Sequence, residues 1–392
     1  PIVVGMIAFY LVQPWILKFA LLHSSLSVRA LGFVGFCASM AYLAVELKHR
    51  LGIYYKFQVN LIWWLYGLQF SKHVHALVAP ESLINTVGLR NENNANDKDN
   101  KDKRRVAALS WSRLCVLCYC PPTVIFQRPE VTQNSSPPRQ VFPYKSATHY
   151  SLRGVAQMAT MLQIAYGVLH FQLYNYLPLP MQSLLCFYMV CLSQGGFADL
   201  FMNAPTRLWI DNNHPTTNTD KLALVEPSDA PICTTHARYF WARWSKNVGT
   251  LHFRCALYQT LGGGYKHQYR ATALTFGVNC VLHIFFWGPL STRETKWAWT
   301  YLHVLVLAPA VALLLDKQVF QPLLLTRKVK EGKDDDDKKQ ISATSVNIFL
   351  YRACNWITLQ VLAAILFPSF LDAQGMPTNL QELALLQTGQ LG

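Results

Sequence analysis

The stretch TALTFGVNCVLHIFFWGPL, residues 272–290, decides the fold class of this chain. It contains no Asp, Glu, Lys or Arg, and its only basic group is His283. A helix of this length rises about 28 Å, close to the ~30 Å thickness of the hydrocarbon core of a bilayer. The stretch is therefore predicted to be a membrane-spanning helix that carries one histidine.

The composition of the whole chain indicates the same class of protein. Hydrophobic residues make up 52% of the 392 residues and charged residues 14%, whereas a soluble domain usually carries about 25% charged residues. The 21 Phe, 18 Tyr and 11 Trp form an excess that is typical of chains whose aromatic rings lie at bilayer interfaces. The chain is therefore predicted to be an integral membrane protein.

Other apolar windows of spanning length predict an all-α fold. We expect a polytopic transmembrane helical bundle of roughly seven to nine spans. The stretch 106–126 is apolar but contains Arg113 and ends in two prolines, so it is interpreted as re-entrant or interfacial. The candidate windows besides 272–290 are 1–22, 30–47, 57–77, 154–176, 181–203, 298–316 and 345–367.

Polar stretches divide the chain into five predicted regions. The run NENNANDKDNKDKRR at 91–105 has no apolar periodicity, which is typical of a loop. The regions are N-terminal transmembrane helices at 1–90, polar loops at 91–149, a core at 150–326, a charged loop at 327–344, and a C-terminal span and tail at 345–392.

Charge and cysteine usage exclude several kinds of partner. The formal net charge is +14, but the basic residues are spread over loops and form no basic face, so no nucleic-acid partner is predicted. The four aspartates at 334–337 stand in a lysine-rich run that resembles a protease-recognition tag, and they are interpreted as solvated. The ten cysteines are scattered, and several lie inside apolar runs, as small buried hydrophobes do. No metal site is predicted.

The segment 236–260, HARYFWARWSKNVGTLHFRCALYQT, is predicted to be a basic amphipathic helix. Its apolar and aromatic residues recur at spacings of three and four, and basic residues fall between them. Such a helix suits the membrane interface. The basic residues are Arg238, Arg243, Lys246 and Arg254.

His283 is the leading candidate for chemistry. An ionisable group at bilayer depth is expensive, so it marks a functional site by default. A neutral imidazole can remove a proton from an alcohol near neutral pH. Asn279 lies four residues earlier on the same helical face, where it could orient the ring or bind a substrate carbonyl. A structural role for His283, bonded to a neighbouring helix, fits the spacing equally well.

Three further ionisable groups lie in predicted spans. His170, Asp199 and His303 are each interpreted first as hydrogen-bonding partners between helices. His303 is the reserve candidate for catalysis, because its window follows that of His283.

The block FWARWSKNVGTLHFRCALY, residues 240–258, resembles a signature of the wax-synthase-like branch of the membrane-bound O-acyltransferase (MBOAT) superfamily. Phe240, Trp241, Arg243 and Trp244 match that branch's Phe-Trp block, and His283 matches its later histidine with the spacing preserved. The segment SLRGVAQ at 151–157 is similar to another block of fungal members. The resemblance is to a divergent member of fungal secondary metabolism.

The resemblance implies transfer of an acyl group, acetyl or longer, from acyl-CoA to a lipophilic alcohol such as a terpenoid or fatty alcohol. His283 would be the general base and Asn279 its neighbour, with acyl-CoA as cosubstrate and no bound cofactor. The expected surroundings are membrane lipids of the endoplasmic reticulum, and the oligomeric state stays open. The residues expected to contact substrate are Phe240, Trp241, Arg243, Trp244, Lys246, Asn247, Arg254 and His303.

Other functions remain open from the sequence. A membrane terpene cyclase would need an acidic carboxyl inside the bundle, and Asp199 is the available one. Another lipid-modifying membrane enzyme is a second alternative. A transporter or scaffold is a third, although the internal repeats common in transporters are not evident.

Overall fold

The structure is a computed structural model in which helices predominate. Among the described residues, the elements that are not helical are two strands of three residues each, so the all-α prediction is confirmed. In some helical stretches, among them 2–10 and 56–66, the backbone alone is described. The described residues are 2–23, 25–51, 56–87, 111–120, 122–125, 144–213, 223–244, 246–263, 267–287, 306–325, 345–373, 380, 381 and 385.

Several predictions fall outside the described residues. The polar loop at 91–105, the charged loop at 327–344 with its four aspartates, and His303 all lie there. Only the end of the predicted window 298–316 is described, from residue 306 onward.

The N-terminal region is a group of packed helices. Helices α1 (Ile2–Leu22), α2 (Leu26–Leu51) and α3 (Lys56–Val78) pack against one another, and α4 (Pro80–Val87) follows α3 directly. Helices α1 and α3 nearly coincide with the apolar windows 1–22 and 57–77, whereas α2 extends beyond the window 30–47 at both ends. Helix α3 ends at Val78 because Pro80 begins the next helix, and the residue before a proline is biased away from helical backbone.

The described part of the stretch 106–126, residues 111–120 and 122–125, contains two short elements. Helix α5 (Trp111–Tyr119) is nine residues long and rises only about 14 Å, too short to cross a bilayer. After the prolines, strand β1 (Thr123–Ile125) pairs antiparallel with β2 (Ala223–Val225), with Val124 opposite Leu224. Sequence patterning did not predict this pairing, because three-residue strands are shorter than any readable period.

Helices α6 and α7 form an antiparallel hairpin that frames the next region. Helix α6 (Ala147–His170) begins where Ser146 caps the amide of His149. Helix α7 (Leu179–Ala198) continues through a π-helical turn, π1 (Asp199–Asn203), into α8 (Ala204–Asn213). A Cβ on Gly196 would lie 2.7 Å from Met158 Cγ, so the hairpin packs this closely only because the residue is glycine.

The predicted amphipathic helix 236–260 is not one regular helix. The structure has a helix α9 (Ala237–Trp244) followed by a π-helical segment, π2 (Lys246–Tyr258). Leu251 and Phe253 of π2 are buried, and the segment packs against α3 and the next helix. The apolar face that was predicted to lie at the membrane interface is therefore buried inside the protein along π2. Moving from α to π winding rotates side chains out of the 3.6-residue pattern on which the prediction rested.

The C-terminal helices complete the described chain. Helix α10 (Gln268–Trp287) carries His283 and matches the window 272–290 closely. Helix α11 (Ala308–Leu314) runs into a π-helical turn, π3 (Leu315–Phe320), and then α12 (Gln321–Leu324). The last long helix is α13 (Ser345–Ala373), which packs against α7, α9 and α11.

Two described helices are long and apolar enough to cross a membrane. They cover Leu179–Asn212 and Ser345–Ser369. Only 17% of the apolar window in Ser345–Ser369 is buried inside the protein, whereas 50% is buried in Leu179–Asn212. Such exposure on α13 is typical of a lipid-facing helix. The predicted number of seven to nine spans exceeds these two.

Candidate functional site

His283 is held by its own helix. Its Nδ1 lies 2.9 Å from the backbone carbonyl oxygen of Asn279, one turn earlier. Because a carbonyl can only accept, Nδ1 carries the proton and the lone pair of the neutral ring is on Nε2. The predicted pair is therefore in contact, but through the backbone of Asn279 and not through its amide.

The helix of His283 faces the main hydrophobic core. Cys280, one turn before His283, is 4% exposed and belongs to the core cluster that also contains Phe187 and Phe240. Helix α10 packs on π2 and on α3. The histidine and the aromatic block, predicted as parts of one site, thus adjoin the same core.

The aromatic block lines an apolar pocket. Phe240 and Trp241 of α9 form one wall, and Phe187 of α7 and residues of α13 form the others. Trp244 stacks on Phe187 with a ring separation of 6.0 Å and an interplanar angle of 4°. These side chains give the pocket an apolar lining throughout.

The basic residues predicted to contact phosphates separate into two groups. Arg243 and Arg254 are exposed, so they are accessible to an anionic molecule. Lys246 instead lies in an ion cluster, where its Nζ is 3.0 Å from Asp229 Oδ2. The side chain of Asn247 and all of His303 lie outside the described residues.

The ion cluster is built around Arg153, which lies in the SLRGVAQ block. Its Nε and Nη2 donate to the two oxygens of Asp199 at 2.6 and 2.7 Å, a bidentate pair. Its Nη1 donates to Asp229 at 2.9 Å, and Nη2 is 3.4 Å from Glu226. With three positive and three negative groups the charges balance; the members are Lys145, Arg153, Asp199, Glu226, Asp229 and Lys246.

Asp229 pairs with both lysines of the cluster as well as with Arg153. Lys145 and Lys246 each place Nζ 3.0 Å from one of its oxygens. Burial raises the pKa of Asp229, but the charges of Lys246 and Lys145 outweigh burial and hold the pKa far below its usual range. The carboxylate is therefore ionised and stabilises the loop that precedes α9.

The protein is expected to lose stability in acid partly through Asp229. A carboxyl whose pKa is depressed in the folded state stabilises the fold above its unfolded pKa of about 3.9, and this stabilisation is lost as the pH falls further. The midpoint temperature of thermal unfolding in detergent should decrease as the pH is lowered from about 5 to about 3. Asp229→Asn should make this fall shallower, and an unchanged slope would contradict the assignment.

The sequence reading missed a buried polar chain on α3. His75 Nδ1 lies 3.1 Å from His252 Nδ1, and His75 Nε2 lies 3.2 Å from Ser82 Oγ. His252 Nε2 lies 3.0 Å from Thr123 Oγ1. Burial, with His75 and Lys72 nearby, lowers the pKa of His252 well below its usual range, so its ring is neutral. These hydrogen bonds connect α3, α4, β1 and π2.

Lys72 lies beside this chain and has a structural role. Its Nζ donates to the carbonyl oxygens of Leu117 and Cys120 at 2.6 and 2.7 Å, which are orphan acceptors at the end of α5. These polar residues could have been singled out from the sequence. Lys72, His73 and His75 lie within the predicted span 57–77, and an ionisable group at bilayer depth marks a functional site by default, as argued for His283.

Comparisons with known proteins do not identify the class of protein to which this chain belongs. A scan against protein-family models finds no match, and searches of curated proteins and of solved structures find none either. The described residues form a helical protein in which two helices are long and apolar enough to cross a bilayer. They also form an apolar pocket and hold a histidine in one tautomer on a helix that adjoins the main core.

Proposed function

We propose that this chain is a polytopic membrane O-acyltransferase of the wax-synthase-like kind. It transfers an acyl group from acyl-CoA to the hydroxyl of a lipophilic acceptor such as a terpenoid or fatty alcohol. The observation that carries the proposal is His283, which lies on an apolar helix beside the main core and has its Nδ1 proton bonded to a backbone carbonyl. An imidazole held in this tautomer offers Nε2 as a base.

Exposed apolar surface supports the membrane part of the proposal. A monomeric soluble protein rarely exposes contiguous apolar patches larger than a few hundred Å². Here α2, α6 and α13 each present several exposed large hydrophobic side chains, which a lipid environment would cover. Examples are Leu31, Val34, Leu152, Leu162, Phe349 and Ile365. The endoplasmic reticulum is the location that the resemblance implies.

The reaction follows from general-base chemistry. The alcohol oxygen attacks the thioester carbonyl carbon while its proton passes to Nε2 of His283. The tetrahedral intermediate then expels the CoA thiolate, which takes the proton back from the imidazolium. The C–O bond of the ester forms and the C–S bond of the thioester breaks, so atoms and charge balance without a metal or redox cofactor. Exposed Arg243 and Arg254 supply cations for the phosphates of CoA.

The arrangement around Asp199 argues against the cyclase alternative. Its oxygens accept hydrogen bonds from Arg153 and from Asn203 Nδ2 at 2.8 Å. Both oxygens of Asp199 are therefore engaged by donors of the protein and are not directed at an epoxide or alkene. No observation in the described residues favours a transporter over an enzyme.

An acyl-transfer assay tests the proposed function. Membranes that contain the full chain would receive labelled acetyl-CoA or a labelled long-chain acyl-CoA, together with a mixture of fatty and terpenoid alcohols. Labelled ester should form with at least one donor, above the level in membranes without the chain. Folded protein that forms no ester with either donor would contradict the proposal, because both donor classes and both acceptor classes are present.

A further inference from the structure

A serine and two histidines lie in a line where α3, α4 and π2 meet. Ser82 Oγ is 3.2 Å from His75 Nε2, and His75 Nδ1 is 3.1 Å from His252 Nδ1. His252 Nε2 is in turn 3.0 Å from Thr123 Oγ1. In this arrangement a hydroxyl contacts one nitrogen of an imidazole, and a third polar group holds the other nitrogen. A serine nucleophile, its base and the group that orients the base have the same relation to one another.

The serine is the accessible end of this hydrogen-bonded chain. Ser82 is partly exposed, whereas His75, His252 and Thr123 are each 0% exposed. Hydrogen bonds that only stabilise a fold need no end at the surface, but a nucleophile has to reach its substrate. Among these four groups, the hydroxyl of Ser82 is therefore the one that can meet a molecule from outside.

The protons of the chain can be placed so that His75 is ready to act as a base. When Ser82 donates to His75 Nε2, His75 Nδ1 donates to His252 Nδ1, and His252 Nε2 donates to Thr123. Both rings are then neutral, which is the state that burial favours. The chain can also run in the opposite sense, with Thr123 as the first donor, and no heavy atom has to move between the two arrangements.

Two helix ends favour the charges that form when the serine reacts. His75 lies in the last turn of α3, where the helix dipole stabilises a positive imidazolium. Ser82 is the third residue of α4, and the first-turn amides and the dipole of a helix favour negative charge at that end. Proton transfer from Ser82 to His75 therefore moves each charge toward the helix end that stabilises it.

We propose that Ser82, His75 and His252 form a second reactive site, at which Ser82 takes an acyl group from a carboxylic ester. His75 is the base, and His252 is a positioning residue that acts through His75. The site does not depend on the acyl transfer proposed at His283. The choice of an ester rests on the proposed membrane setting: Ser82 comes soon after the predicted span 57–77, near the bilayer surface where the ester carbonyls of lipids lie.

The reaction at this site has two steps. Ser82 Oγ attacks the ester carbonyl carbon while its proton passes to His75 Nε2. The C–O bond of the ester breaks, the alcohol leaves with that proton, and an acyl-serine remains. Water then attacks the acyl-serine, His75 takes a proton from the water and returns it to Ser82 Oγ, and a carboxylic acid is released. The sum is the hydrolysis of an ester, so atoms and charge balance.

Covalent labelling of the full chain in detergent micelles tests the nucleophile. The probe is an alkyl fluorophosphonate, which phosphonylates an activated serine and releases fluoride, and mass spectrometry after proteolysis locates it. We expect the label on Ser82. With p-nitrophenyl butyrate as the ester, we expect an initial burst of nitrophenol equal to the amount of protein. Protein that was labelled beforehand should show no burst.

Two variants with matched controls assign the nucleophile and the base. Ser82→Ala should remove both the label and the burst. His75→Gln should slow labelling by about 10²–10⁴-fold, the usual contribution of a general base. Ser369→Ala on α13 and His149→Gln on α6 change exposed residues of the same types, and both should label within about twofold of wild type.

A pair of variants separates the positioning role of His252 from a structural one. His252→Leu removes the acceptor for His75 Nδ1 and should slow the labelling of Ser82 by about 10²-fold or more, as loss of the required tautomer does in a catalytic triad. His252→Asn keeps an oxygen that can accept from Nδ1, so it should restore much of this rate. Rates are compared at equal amounts of folded protein, judged by gel filtration. Equal rates in wild type and His252→Leu would overturn the positioning role.

The contrary results are distinct from those of the proposed function. Folded wild-type protein without label on Ser82 would overturn the nucleophile, and this result does not depend on any variant folding. An unchanged labelling rate in His75→Gln would overturn the base. Label on Ser82 without ester formation from acyl-CoA would uphold this site and contradict the proposed function. Loss of acyl transfer from acyl-CoA in folded Ser82→Ala would overturn the independence of the two sites.

Discussion

Replacing His283 by alanine is expected to lower ester formation by about 10²–10⁴-fold, the usual contribution of a general base. The structure gives the physical reason. The carbonyl of Asn279 fixes the Nδ1 proton, so Nε2 is the atom that accepts the proton of the alcohol. Alanine removes that acceptor without disturbing the carbonyl. The measurement is the initial rate of ester formation in membranes with equal amounts of wild-type and variant protein.

A matched histidine controls for nonspecific effects of the substitution. His170 is exposed at the end of α6, where its ring stacks on Tyr166. His170→Ala should leave the rate within about twofold of wild type, as surface substitutions usually change little. If His283→Ala retained the wild-type rate at equal protein level, the base assignment would be wrong and His303 would be tested next.

Replacing Arg153 by methionine is expected to lower the free energy of unfolding by about 3–5 kcal/mol, the usual cost of removing one partner from a buried ion cluster. Methionine nearly keeps the volume but leaves Asp199, Glu226 and Asp229 without their shared cation. Such a loss is a large share of the 5–15 kcal/mol of a typical protein. The measurement is chemical unfolding in detergent, with the yield of folded protein as a second readout.

Two comparisons identify the cause of the loss. Arg153→Lys keeps the charge but cannot form the bidentate pair with Asp199, so it should lie between wild type and Arg153→Met. Arg243→Met alters an exposed arginine and should change stability by less than about 0.5 kcal/mol. Equal effects of Arg153→Met and Arg243→Met would show that the cluster does not stabilise the fold.

The helices were the part of the fold that the sequence could predict. The windows 272–290 and 345–367 coincide with α10 and α13 because long apolar runs have one regular solution in an apolar environment, the helix. The prediction of a single helix at 236–260 was wrong, because its apolar spacing fits α winding whereas the second half has π winding and packs against α3. Local periodicity carries no information about such a contact.

The sequence could nominate residues for the candidate site but not their partners. Phe240 and Trp241 were expected to contact substrate, which stays a prediction, and in the structure they line an apolar pocket. Lys246 was expected to be available to phosphate, but it pairs with Asp229, which lies seventeen residues earlier, before α9. A basic residue in an amphipathic pattern looks the same in sequence whether its partner is solvent, a ligand or a buried acid. Only tertiary structure distinguishes these cases.

The ion cluster also has a consequence for the order in which the protein assembles during synthesis. Arg153 and Asp199 belong to the hairpin of α6 and α7 and its π-helical extension, so both precede Glu226, Asp229 and Lys246 in the order of synthesis. The hairpin can therefore neutralise its central arginine within itself while the rest of the chain is still being made. The acids at 226 and 229 can then add to a charge pair that has already formed, so the cluster can assemble in the order in which its residues are synthesised.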